Sequence, residues 1–287
     1  MSWLDKLSND TIRAKNANFD IYRQNKNGKM SEVKMILTTT KKTIILVSIT
    51  ILLCIASLVG LSSSAVATVY SNKSLRKLPV YAVDTDSKEI ALTFDAAWGA
   101  DKTKAIIDIL NKYNAKATFF LVGFWIKEYP ELVQLIDSQG FDIGNHSQSH
   151  LKMSALSPEK IEDEIATVNS QILKLTNKTP KFFRAPFGDY NNGLIQSVTN
   201  KNMLPIQWSV DSLDWKGLSC TQILQRVSKN VKSGSIILCH NNSEHIVEAL
   251  PLILTQLSGA GYKFVTMSQL VADKDYTIDS NGIQHKN

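Results

Sequence analysis

From residue 88 onward, short apolar runs alternate with amphipathic stretches, the pattern left by βα units wrapped around a mostly parallel sheet. The runs predict seven strands, at 90–94, 117–122, 141–144, 182–184, 205–210, 235–239 and 263–265. After Ser157-Pro158, residues Ile161, Ile165, Val168, Ile172 and Leu175 recur every three or four positions, which is one face of a helix. Ser157 suits its N-cap and Pro158 its first turn. Ser219 with Gln222 has the spacing of a capping box and opens a second helix. Gly140 and Gly261 stand where helices would end before the next strand.

Seven such units predict an α/β fold with a barrel-like sheet, an open doubly wound sheet being the alternative. In either fold, active sites gather at the C-terminal ends of the strands. Asp95, His146, Arg184, Asp211 and His240 all fall at or just past such an end. Polar residues scattered over a surface would not keep that phase.

Ahead of this region the pattern changes. Thr43 to Asn72 carries no charge, and its first nineteen residues are close to the ~20 apolar residues that cross a bilayer as a helix. Residues 1–42 hold nine Lys or Arg against four Asp or Glu, so five of the six net positive charges lie before the apolar run. That asymmetry predicts a cytoplasmic tail at 1–42, a transmembrane signal anchor at 43–65 and an extracytoplasmic remainder in a cell membrane. Ala65-Val66-Ala67 also fits a signal-peptidase site; the long leader favours an uncleaved anchor. Residues 66–87 read as a polar stalk, 88–272 as the folded domain and 273–287 as a loose tail. The folded part is nearly neutral, which argues against a nucleic-acid partner. Hydrophobic residues at 44% and charged ones at 20% exclude disorder. Of three cysteines, Cys54 lies in the apolar run, and Cys220 and Cys239 are expected as unpaired thiols.

His146 and His150, four residues apart, can reach one metal ion, or they are two surface histidines. Alternation along 235–239 puts Leu238 and His240 on one face and Cys239 on the other. His240 is therefore a ligand, a general acid or a core histidine. Asp95 ends a strand as a base or a helix cap, and Arg184 can hold it in a fork. Asp211 and Asp214 precede Trp215, which reads as a sugar platform or an anchor. A glycosidase using Asp95 and Asp214 would leave both histidines of the pair unexplained.

Five motifs stand in order: Thr93-Phe94-Asp95, His146-Ser147-x-x-His150, Arg184-x-Pro186-x-Gly188, Asp211-x-x-Asp214-Trp215 and Leu238-x-His240. In these the block from Ile90 to about Leu270 resembles the polysaccharide deacetylases with a NodB homology domain, carbohydrate esterase family 4. The wording around Asp95 and Trp215 is similar to the membrane-anchored, PdaB-like branch associated with sporulation. The resemblance implies a distorted (β/α) barrel that removes acetyl groups from N-acetylated amino sugars of peptidoglycan or chitin-like glycan. It implies Asp95 as general base, His240 as general acid, Arg184 orienting Asp95 and Asp214 tuning His240. His146 and His150 would hold a divalent metal, Zn or else Co or Ni, while Trp215, Leu238 and Pro186 would face the substrate. One departure stands out: where the family usually has a second aspartate after the base, this chain has Ala96. Metal affinity should drop, or another oxygen such as that of Asp101 must substitute. A glycan-binding protein of little turnover is the alternative this implies.

Overall fold

The structure is a computed structural model and describes residues 43–52, 54–55 and 76–286. It divides into two units, residues 1–75 and 76–287. In the first, 43–52 and 54–55 are helical, with Ile44, Leu46 and Leu52 exposed. Among the described residues no helix is long and apolar enough to cross a membrane. The span expected at 43–65 runs past them, and the basic tail 1–42 lies outside them.

The second unit holds the βα succession. Its strands are β1 (Ala82–Val83), β2 (Glu89–Ala96), β3 (Thr118–Leu121), β4 (Asp142–Asn145), β5 (Phe182–Phe183), β6 (Leu204–Pro205), β7 (Val210–Asp211), β8 (Ile236–His240), β9 (Lys263–Val265), β10 (Tyr276–Ile278) and β11 (Ile283–Lys286). The helices are α1 (Thr103–Lys112), α2 (Gly123–Glu128), α3 (Pro130–Ser138), α4 (Pro158–Thr176), α5 (Asn192–Asn200), α6 (Cys220–Asn230), α7 (Ile246–Gly259) and α8 (Met267–Leu270). The caps expected from sequence are formed: Ser157 accepts from the Lys160 N–H ahead of α4, and Ser219 with Gln222 closes a capping box on α6.

The main sheet is parallel and runs β6-β5-β4-β3-β2-β8-β7. β9 pairs with the first half of β2, at Glu89–Ala91, and β3 with the second half. Alternation along β2 sorts its side chains. Leu92, Phe94 and Ala96 join a core with Ile106 and Leu110 of α1 and Ile253 and Leu254 of α7. Ala91 faces Phe120, Phe182, Ile236 and Met267 in a second core. Thr93 and Asp95 continue that second face toward the C-terminal end of the strand.

Three expectations are corrected. The strand expected at 205–210 is two short strands at opposite edges of the sheet. β6 pairs with β5, β7 pairs with β8, and residues 206–209 carry the chain between them. A connection that short limits the gap between the edges to roughly 18 Å, so the sheet curls toward closure through covalent connectivity. Second, the expected stalk is part of the fold from residue 76 on: Val80 and Val83 are buried, and Val80 bridges Ile206. Third, the expected loose tail forms β10 and β11, which build a three-stranded sheet with β1. Gln284, fully buried, exchanges hydrogen bonds with the backbone of Ala272. Cys220 and Cys239 are unpaired, as expected.

Candidate active site

β2 delivers Asp95 to the mouth of the sheet, and the buried Arg184, just after β5, meets it there. Nη1 of Arg184 donates to Asp95 Oδ1 at 2.7 Å and to Thr93 Oγ1 at 2.9 Å, while Nη2 donates to the Gln207 carbonyl at 3.1 Å. The guanidinium lies 4.1 Å from the Phe120 ring centroid. Burial alone would push the carboxyl of Asp95 up, but the charge of Arg184, helped by the two nearby imidazoles, holds it below the usual carboxylate range.

β4 leads into the loop of the two histidines. His146 is buried; its Nδ1 donates to the Arg184 carbonyl at 2.8 Å, which turns Nε2 toward Asp95 Oδ2 at 3.4 Å. The loop is tight, with Ser147 at φ 66° and His150 at φ 52°. Glu164 of α4, also buried, accepts the Ser149 N–H at 2.7 Å and pins it. The ring of His150 stands 5.1 Å from that of His146, between Trp98 at 4.7 Å and Phe187 at 4.6 Å. Burial holds the His150 pKa down at about 4.

Beside β2 in the sheet, β8 ends in His240, the register partner of Asp95. Asp214 accepts from its Nδ1 at 2.8 Å and from its backbone N–H at 2.8 Å, and it also accepts the Ser243 hydroxyl at 2.9 Å. This fixes Nδ1–H and leaves Nε2 for the cavity. Burial pulls the imidazole down, yet the hydrogen bond and charge of Asp214 outweigh it and raise the pKa above the ordinary value.

These groups line one cavity of about 720 Å³. Asp95, His146, His150, Asp214, Trp215, Leu238 and His240 all reach it. Arg184 sits behind Asp95 rather than on the wall. Pro186 is buried and does not line the cavity; its neighbour Phe187, at φ 60° and 62% exposed, does. Trp98, equally exposed, is a second wall that the motif reading passed over. So is the loop from Asn241 to Glu244. Trp98 and Phe187 stood beside motif residues, and their aromatic character was the available signal. Nothing local marks the loop.

The donor set decides how a metal would fare. Two imidazoles are one ligand short of the three usual for catalytic zinc. Ala96 offers a methyl group packed in the helix-facing core, and Asp101, its side chain 72% exposed and 3.9 Å from Lys102, is not on the cavity wall. Among the described residues no group of three His, Cys, Asp or Glu side chains could hold an ion. The site does not fit a three-ligand metal centre, because the position that would complete it is apolar.

Comparison with known proteins places this geometry. The polysaccharide deacetylase family profile matches residues 82–205. A peptidoglycan-N-acetylglucosamine deacetylase of Bacillus cereus is 36% identical over 197 residues, covering 67% of this chain and 92% of that protein. The uncharacterized protein YlxY of Bacillus subtilis is 32% identical over 199 residues, 69% of this chain; the match spans only 62% of YlxY. Among solved structures, a CE4 family pseudoenzyme from Bacillus anthracis superposes with a TM-score of 0.66 at 32% identity, covering 73% of each chain.

Proposed function

The chain belongs to the polysaccharide deacetylases of carbohydrate esterase family 4, and from that premise we propose that it removes acetyl groups from N-acetylated amino sugars of cell-wall glycan. The observation that carries this reading is a pair of groups on neighbouring strands that both line one cavity. Arg184 favours the ionised form of Asp95, and Asp214 favours the protonated form of His240. Asp95 is the group to take a proton from water attacking the acetamide carbonyl. His240 gives one to the departing amine, which is a poor leaving group unless protonated. Trp98, Phe187 and Trp215 offer apolar faces to sugar rings, and Leu238 closes the wall where an acetyl methyl would rest.

A divalent ion, where a deacetylase holds one, polarises the amide and acidifies water. In this chain Zn, Co or Ni would rest on His146 and His150 alone, and no step above depends on it. Ala96 favours a second reading, a glycan-binding protein with little turnover. Residues 43–65 are proposed to anchor the chain, with 1–42 in the cytoplasm and the folded domain outside, in the manner of the sporulation-associated branch it resembles.

Incubating the protein with N-acetylglucosamine oligomers or peptidoglycan, with and without Zn²⁺, Co²⁺ or Ni²⁺, should release acetate, and Asp95→Asn should stop it. Acetate absent under every metal, with oligomers still bound by His240→Ala, would reject the deacetylase in favour of the binder.

A further inference from the structure

Among the described residues four carboxylates line the cavity, and two of them are already answered. Asp95 is neutralised by Arg184 and Asp214 is paired with His240. Asp211, half-buried, spends one oxygen on the Leu213 N–H and has no ion-pair partner among the described residues. Arg226 reaches only the main-chain carbonyl of Asp211. Glu244 is 74% exposed, and its nearest basic group is the His245 imidazole at 3.9 Å.

Among the described residues no lysine or arginine lines the cavity. Arg184 is sealed beneath Asp95 with both terminal nitrogens engaged. The Lys216 ammonium sits over the Trp215 ring at 5.0 Å, and that of Lys102 is turned to Asp101 and the Asn242 carbonyl. The wall that would meet sugars next to the reacting acetamide is therefore aromatic and anionic.

Cell-wall glycan presents such a wall with three kinds of neighbour. One amino sugar is neutral. Its partner carries a lactyl ether ending in a carboxylate wherever the peptide has been removed. A sugar already deacetylated carries an ammonium. Like charges across an interface are repelled and opposite charges are drawn in. Resting on the proposed function, we propose that Asp211 and Glu244 make this cavity select strands of neutral or amine-bearing amino sugars and reject those with a free carboxylate beside the acetamide. A strand deacetylated once is then a better ligand than an untouched one.

The test uses the full-length protein in detergent and measures binding by calorimetry, so it does not depend on turnover. The probes are chitotetraose, the same tetramer with one free amine, and a peptide-free tetrasaccharide containing muramic acid with free lactyl carboxylates. Exposed ion pairs contribute up to about fivefold in affinity. The amine-bearing tetramer is expected to bind about fivefold tighter than chitotetraose, and the carboxylate-bearing one about fivefold weaker. Asp211→Asn combined with Glu244→Gln should bring the three within about twofold of one another, as should half-molar salt. Carboxylate-bearing glycan bound as tightly as chitotetraose, or an order of affinities unchanged in the double variant, overturns the proposal while leaving the deacetylase reading intact. Failure of all three tetramers to bind overturns both.

Discussion

In the proposed reaction His240 is the acid, and Asp214 behind it favours the protonated form that this role needs. Its imidazole is protonated below a raised pKa and loses that form as pH climbs through it, so acetate release should fall on the alkaline side there. Asp214→Asn removes the charge and keeps the shape. The alkaline limb of the pH–rate profile should move to lower pH, with turnover at neutral pH down by about 10² or more. Asp95 depends on Arg184 in the opposite sense. Replacing Arg184 with Met strands a buried carboxylate and should cost about 3–5 kcal/mol in urea unfolding. A loss under about 1 kcal/mol would show that Asp95 finds water instead. The sequence made Asp95, Arg184 and His240 legible as types of residue at strand ends, and Asp214 through the motif it shares with Trp215. That Phe187 rather than Pro186 reaches the cavity was not legible, since it follows from a positive φ that the Pro-Phe-Gly string does not announce.

Elements whose signal is local were the readable ones. α4 and α6 begin where Ser157 and Ser219 cap them, because a cap is a bond between residues three apart. The run at 205–210 was misread because alternation reports burial, not which strand lies alongside. Its two halves pair with opposite edges of the sheet, and the crossover between them supplies the Gln207 carbonyl to Arg184. The sheet of β1, β10 and β11 escaped for a similar reason, since β1 lies about two hundred residues before the adjacent pair β10 and β11 that it joins. Gly234 joins this sheet to the main one. At φ +74°, a Cβ there would lie 1.7 Å from the Val83 carbonyl oxygen. Gly234→Ala should therefore lower stability by about 1–3 kcal/mol or more, read as a drop in melting temperature.

Across the whole molecule, the histidines of the site tie folding to pH. His150 holds its proton only below about 4 when folded, whereas an unfolded imidazole takes one near 6.5. Between those values the unfolded chain binds the extra proton, so stability rises with pH and is lost on acidification from 7 toward 5. His146, also shifted down, adds to the same slope. His240, shifted up, contributes stability that is full below the ordinary imidazole value and fades above it, outside this window. His150→Gln should thus narrow the difference in melting temperature between pH 7 and pH 5; an undiminished difference would place the acid sensitivity elsewhere. The sequence by itself determined the βα succession, the caps and the row of polar residues at strand ends, because periodicity and capping are set by neighbours along the chain. Only the tertiary structure decided which of those residues share a cavity, that Asp95 and His240 are tuned in opposite directions, and that position 96 faces the core. Burial and charge pairing arise between segments that meet only when the sheet curls.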